Sequence, residues 1–104
     1  MANDLLFKAL AHPIRRGVIE QLAQRPATVG EATRAFDVSK PTLSKHLRVL
    51  EDAGLITRVI EGREHRLALA VEPLLEASAW IDTQRGRWER LFDTVENYLE
   101  ERRA

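Results

Sequence analysis

From Pro73 to Arg103 the chain contains one helix breaker, Gly86, and this stretch limits the possible folds more than any other feature. A continuous helix of about 30 residues here would be roughly 45 Å long at 1.5 Å per residue. Leu74, Ile81, Trp88 and Val95 recur every seven residues, and Ala77, Leu91 and Tyr98 stand three positions further on, with Gln84 the one polar interruption. That is a heptad seam. A chain of 104 residues has little else against which to bury such a stripe, so a second copy is its natural partner. Gly86, within Asp82-Thr83-Gln84-Arg85-Gly86-Arg87, is where the helix is expected to bend or divide.

The preceding residues read as four short helices and a hairpin. Leu5, Leu6, Ala9 and Leu10 mark a first helix that stops at Ala11-His12-Pro13. Pro13 suits the first turn of a second, which carries Ile14, Val18, Ile19 and Leu22 on one face and ends at Gln24-Arg25-Pro26. Thr28 and Glu31 have the spacing of a capping box and open a third helix, to about Phe36. Ser39 is the N-cap candidate of a fourth, stopped by Gly54. Two short helices around a tight turn, the second polar and basic at its start, form a helix-turn-helix over residues 28–53. Two β-prone segments within residues 56–69, Ile56 to Ile60 and His65 to Leu69, flank Glu61-Gly62-Arg63-Glu64 as a hairpin. The fold class is therefore mainly α with a small β-hairpin, in one domain spanning residues 1–104, with residues 73–103 as its dimerisation helix.

The fourth helix carries the chemistry. At 100° per residue Leu43, Leu47 and Leu50 share a core-facing side, which turns Pro41, Lys45 and Arg48 outward. In a DNA major groove Lys45, Thr42 and Ser44 would reach base edges, and Lys40 and Arg48 would meet phosphates. Ser39 caps a helix end whose amides suit an anion. His46, beside Leu47, is a further candidate for DNA contact, and Arg58, Arg63 and Arg66 make the hairpin a candidate wing along the backbone. Glu61 and Glu64 oppose that contact.

Charge and composition fit this reading in part. The chain is formally neutral, which favours the alternative of a winged-helix protein-interaction module without direct DNA binding. The charge is uneven, however. Residues 1–70 hold 11 Lys and Arg against 8 Asp and Glu, and residues 71–104 hold 5 against 8. The first part is basic and the last acidic. With no long apolar run and no basic amino-terminal leader, a soluble cytoplasmic protein without membrane contact is expected. Cysteine is absent, so disulfides, thiolate metal sites and cysteine nucleophiles are excluded.

Three segments together resemble the ArsR family of bacterial repressors. They are Leu6-Phe7-Lys8-Ala9-Leu10-Ala11-His12-Pro13-Ile14-Arg15-Arg16, then Ser39-Lys40-Pro41-Thr42-Leu43-Ser44-Lys45-His46-Leu47-Arg48-Val49-Leu50-Glu51-Asp52-Ala53-Gly54-Leu55-Ile56, then Glu61-Gly62-Arg63. The resemblance covers nearly the whole chain and implies a winged helix-turn-helix that represses by occupying a promoter. It also implies a homodimer whose first and last helices pair between subunits. Leu5 and Leu6 of the first, and Leu74, Ile81, Trp88, Leu91, Phe92, Val95 and Tyr98 of the last, would then form the interface. The partners expected are double-stranded operator DNA and a second copy, with no inducer named by the sequence.

Metal-sensing members of that family carry a cysteine pair in the third helix, or histidines and carboxylates in the last. Here Ala27-Thr28-Val29-Gly30-Glu31-Ala32-Thr33 has no thiol, and Pro73 to Arg103 has no histidine. Asp82, Glu89 and Asp93 alone suit zinc poorly, so no metal and no cofactor is expected. The last helix, with Trp80, Trp88 and Leu91-Phe92, resembles a metal-independent branch. Trp80 and Trp88 serve packing better than a ligand pocket, and His12 reads as a junction residue. Catalysis is not expected: there is no phosphate-binding glycine loop or metal cluster, and Ser44 and His46 point about 200° apart on their helix.

Overall fold

The computed structural model of the chain describes residues 2–103. Two compact units divide it, residues 1–74 and 75–104, where the length alone suggests one domain.

The first unit begins with α1 (Ala2–Leu10) and α2 (Pro13–Gln24). Their junction is built from polar side chains. His12 Nδ1 accepts from the Ile14 amide at 3.1 Å and caps α2, with Pro13 in its first turn. Two arginines of α2 reach back to carbonyls in the last turn of α1: Arg15 donates to Ala9 and Lys8 at 2.8 and 2.9 Å, and Arg16 to Leu10 at 2.7 Å. The outcome for α1 is mixed. Leu5 is 52% exposed, but Leu6 at 2% and Ala9 are core residues of this unit. Leu6 is thus corrected from interface to core: one residue along a helix turns a side chain by 100°, enough to take it from surface to interior.

Val18 and Leu22 give α2 its buried face, and Gly17 lets α2 approach Phe36. A methyl group at Gly17 would lie 2.6 Å from Cε1 of the Phe36 ring. Gly17→Ala is therefore expected to destabilise the chain by about 1–3 kcal/mol despite the better helix propensity of alanine, as a shift of the urea midpoint should show.

A strand absent from the sequence reading follows: β1 (Ala27–Thr28), two residues long. Thr28 ends β1 and also caps α3 (Val29–Ala35) through the expected box, with the Glu31 amide donating to Thr28 Oγ1 at 3.1 Å and the Thr28 amide to Glu31 Oε1 at 3.3 Å. Those bonds, from the Thr28 amide first and its hydroxyl second, hold the Glu31 carboxyl below its ordinary range, aided by Arg25 and Arg66 and opposed by burial. Ser39 caps α4 (Lys40–Asp52), accepting from the Thr42 amide at 3.3 Å. At the other end the Leu55 amide donates to Leu50 and the Gly54 amide to Glu51, a Schellman closure that requires the φ of +72° at Gly54.

Leu43, Leu47 and Leu50 of α4 are fully buried, each contributing about 1.5–3 kcal/mol of transfer free energy, together with Leu55 and Leu67. The hairpin is β2 (Ile56–Glu61) and β3 (Glu64–Leu69), turned by Gly62-Arg63. Of these two residues Gly62 alone has positive φ, +62°, as in the two-residue turn that matches strand twist. The sheet is three-stranded and antiparallel in the order β1-β3-β2, Ala27 and Thr28 lying opposite Leu67 and Arg66.

The second unit lies within α5 (Glu72–Arg103), a helix of 32 residues that Gly86 does not divide. Ile81, Trp88, Phe92, Val95 and Leu99 fall within about 60° of one another around it, with Leu91 and Tyr98 at the flank, and every one is exposed. Trp88 is 59% exposed and packs on Phe92 at 5.8 Å between ring centroids, and Arg102 lies over the Tyr98 ring at 5.7 Å. Leu99, absent from the sequence reading of the seam, extends it by a turn.

Candidate nucleic-acid interface

Burial of Leu43, Leu47 and Leu50 fixes the roll of α4 and leaves Pro41, Lys45 and Arg48 exposed on its far side. The two flanks of the helix differ. Lys40, Ser44 and Glu51 point toward the hairpin, and Thr42 and His46 toward the opposite flank. The hydroxyl of Ser39 donates to Thr42 Oγ1 at 2.9 Å, so the two polar groups at the helix start hold each other.

Between α4 and the hairpin lies an open groove of about 560 Å³ lined by Arg34, Lys40, Ser44, Arg58, Arg63, Glu64 and His65, with Thr28, Val29 and Gly30 at the start of α3. Four cations and one carboxylate make it electropositive in a chain of zero net charge. Arg34 was missed by sequence reasoning. It sits in the last turn of α3, and only its place beside the capped helix start would have drawn attention to it.

Three expected contacts are corrected. His46 does not face outward: its ring lies 4.3 Å from that of His12, and its Nδ1 is 3.2 Å from Arg15 Nη1. A guanidinium only donates, so Nδ1 accepts and the imidazole is neutral there. Burial first, then the charges of His12 and Arg15, hold its pKa below the ordinary 6.5. Because the folded chain binds this proton more weakly than the unfolded one, His46 costs nothing above that value and removes stability as the pH falls below it. Wild type should lose more of its urea midpoint between about pH 8 and about pH 5 than His46→Gln does.

Arg58 is paired rather than free, with Nη2 at 2.6 Å from Glu51 Oε1 and Nη1 at 3.0 Å from His65 Nδ1. Arg66 lies on the other face of the sheet. The register sets Arg58 opposite Leu67, so Arg58 shares a face with Leu67, and Arg66, one residue away, points to the opposite side beside Thr28 and the Glu31 carboxylate. Of the three wing arginines, Arg63 at the exposed tip lines the groove and, among the described residues, is the one with no side-chain ion pair.

Among the described residues no group of three His, Asp or Glu side chains is placed to hold a metal ion. No helix there is long and apolar enough to cross a membrane.

Comparison with known proteins agrees with this geometry. The helix-turn-helix domain family matches residues 10–59. A solved structure described as an ArsR family transcriptional regulator superimposes with a TM-score of 0.81 at 39% identity, covering 85% of this chain and 91% of that one. The uncharacterized HTH-type transcriptional regulator YuzN of Bacillus subtilis is 37% identical over 88 residues, 77% of this chain and 96% of that protein. The HTH-type transcriptional repressor SmtB of Mycobacterium tuberculosis is 40% identical over 65 residues, 61% of this chain and 48% of that protein. The chain spans about half the length of that repressor and of another curated relative it matches.

Fold and site together define a winged helix-turn-helix regulator of transcription. Within that class, the chain belongs to the ArsR family.

Proposed function

We propose that the chain represses transcription in the cytoplasm as a homodimer, bound to an inverted-repeat operator with one α4 in each of two successive major grooves. Lys45, with Thr42 and Ser44, reads base edges, Pro41 packs against them, and Ser39, Lys40, Arg48 and Arg63 hold phosphates. Arg34 joins the phosphate set. The observation that carries this reading is the concentration of cations around α4 and its groove in a chain with no net charge. Relatives named as repressors support the direction of control. The exposed apolar face of α5 supports the second copy, since exposed stripes of this extent mark interaction surfaces, and the proposed interface also takes in exposed Leu5 and half-buried Leu74. No metal is required in this scheme.

DNase footprinting on the promoter of the chain's own gene, without added metal, tests it. Symmetric protection of two half-sites about 34 Å apart is expected, with affinity falling steeply as salt rises. Absence of binding to both this promoter and random DNA would transfer the charged face of α4 to a protein partner.

A further inference from the structure

Arg58, Glu51 and His65 come from three elements, β2, α4 and β3, and meet at hydrogen-bond distance: 2.6 Å from Arg58 to Glu51 and 3.0 Å from Arg58 to His65. The pairing is the short type, with the arginine side chain 26% and the glutamate 33% exposed. It crosses the groove, since Ser44, Arg58, Arg63 and His65 line one part of it, while Glu51, Arg58 and Arg48 line an adjoining hollow. An acid on a DNA-facing helix opposes phosphate by simple charge. Its partnership with Arg58 gives Glu51 a different use.

We infer that Glu51, Arg58 and His65 form a latch that fixes the wing against the recognition helix, so that Arg58 is a positioning residue and not a phosphate ligand. The inference rests on the DNA-binding reading above and deepens it. A guanidinium has donors only, so His65 Nδ1 must accept from it and the imidazole must carry its proton on Nε2. With the ring in that tautomer Arg58 bridges α4 and β3 through two separate nitrogens, Nη2 to Glu51 and Nη1 to His65.

The test uses the full chain and its footprinted operator. Glu51→Ala removes a negative charge near DNA, so electrostatics alone predicts tighter binding. The latch predicts binding weaker by roughly five- to tenfold, the scale of one lost hydrogen bond in a partly exposed pair. Arg58→Gln should weaken binding to a similar extent while leaving the slope of log K against log salt unchanged, whereas loss of a phosphate contact lowers that slope by about 0.9. His65→Gln keeps an acceptor at this position and should bind like wild type, whereas His65→Leu, which has none, should bind more weakly. Binding by Glu51→Ala as tight as wild type or tighter, or a reduced salt slope for Arg58→Gln, would overturn the latch. Imidazole nitrogen NMR of the DNA-free protein judges it separately from the DNA-binding reading. An Nε2–H tautomer at His65 is expected; an Nδ1–H tautomer overturns the proposal even if no DNA binds.

Discussion

Trp88→Glu is expected to leave the chain monomeric at micromolar concentration and to weaken operator binding at least about 100-fold. Trp88 lies midway along the exposed stripe of α5, flanked by Leu91 and Phe92 and with Ile81 and Val95 one heptad away on either side. A carboxylate there would be buried without a partner, and two-fold symmetry would place it in the interface twice, at a cost of several kcal/mol. Loss of the proposed dimer would also uncouple its two half-sites. Joining two binding modules raises apparent affinity by about 10²–10⁴, so their separation removes a factor of that order without any change in α4. Sedimentation velocity and a DNA titration of the same preparation would report both effects. A variant that remained dimeric would move the subunit interface off this face.

Lys45→Glu should abolish specific binding within the working concentration range, a loss of about 100-fold or more, with the unfolding transition unchanged. Lys45 is exposed at the middle of the outward stripe of α4, and its replacement leaves Leu43, Leu47 and Leu50 in place. Removal of one good base contact costs about 1–3 kcal/mol, and the new carboxylate adds repulsion from phosphate. Titration against operator and random DNA separates the two parts. Equal losses on both would make Lys45 a phosphate ligand, and a greater loss on the operator would make it a reader of base edges.

The elements that were legible in the sequence are those governed by local rules. Thr28 with Glu31, Ser39 with its helix start, and Gly54 as a stop each act within a few residues, and each appears in the structure as read. The three leucines of α4 were legible for the same reason, because helical period alone sets their common face. The misplaced residues depend on partners far along the chain. His46 is held by Arg15 and His12, more than 30 positions upstream, and nothing near His46 announces them. Strand β1 has two residues, too few to show any period. Arg58 and Arg66 form an intermediate case. Once Gly62-Arg63 is taken as a two-residue turn, Glu61 falls opposite Glu64 and counting back puts the two arginines on opposite faces. That information was present in the sequence but became usable only with the turn type.

The short strand β1 has a mechanical consequence for operator choice. It pairs with β3 only at Leu67 and Arg66, so the hairpin is a beam clamped at its root and supported on one edge alone from His65 outward. Under the proposed latch, bending would be confined to the span beyond His65 that ends in Arg63, while the clamped span would move with α3 through Thr28. A beam of this kind tolerates variation in the path of the DNA backbone at its tip without disturbing the reading helix at its base. If the chain binds DNA as proposed, operators that differ in groove width around the same core half-site would be served by one protein, with discrimination left to the outward stripe of α4.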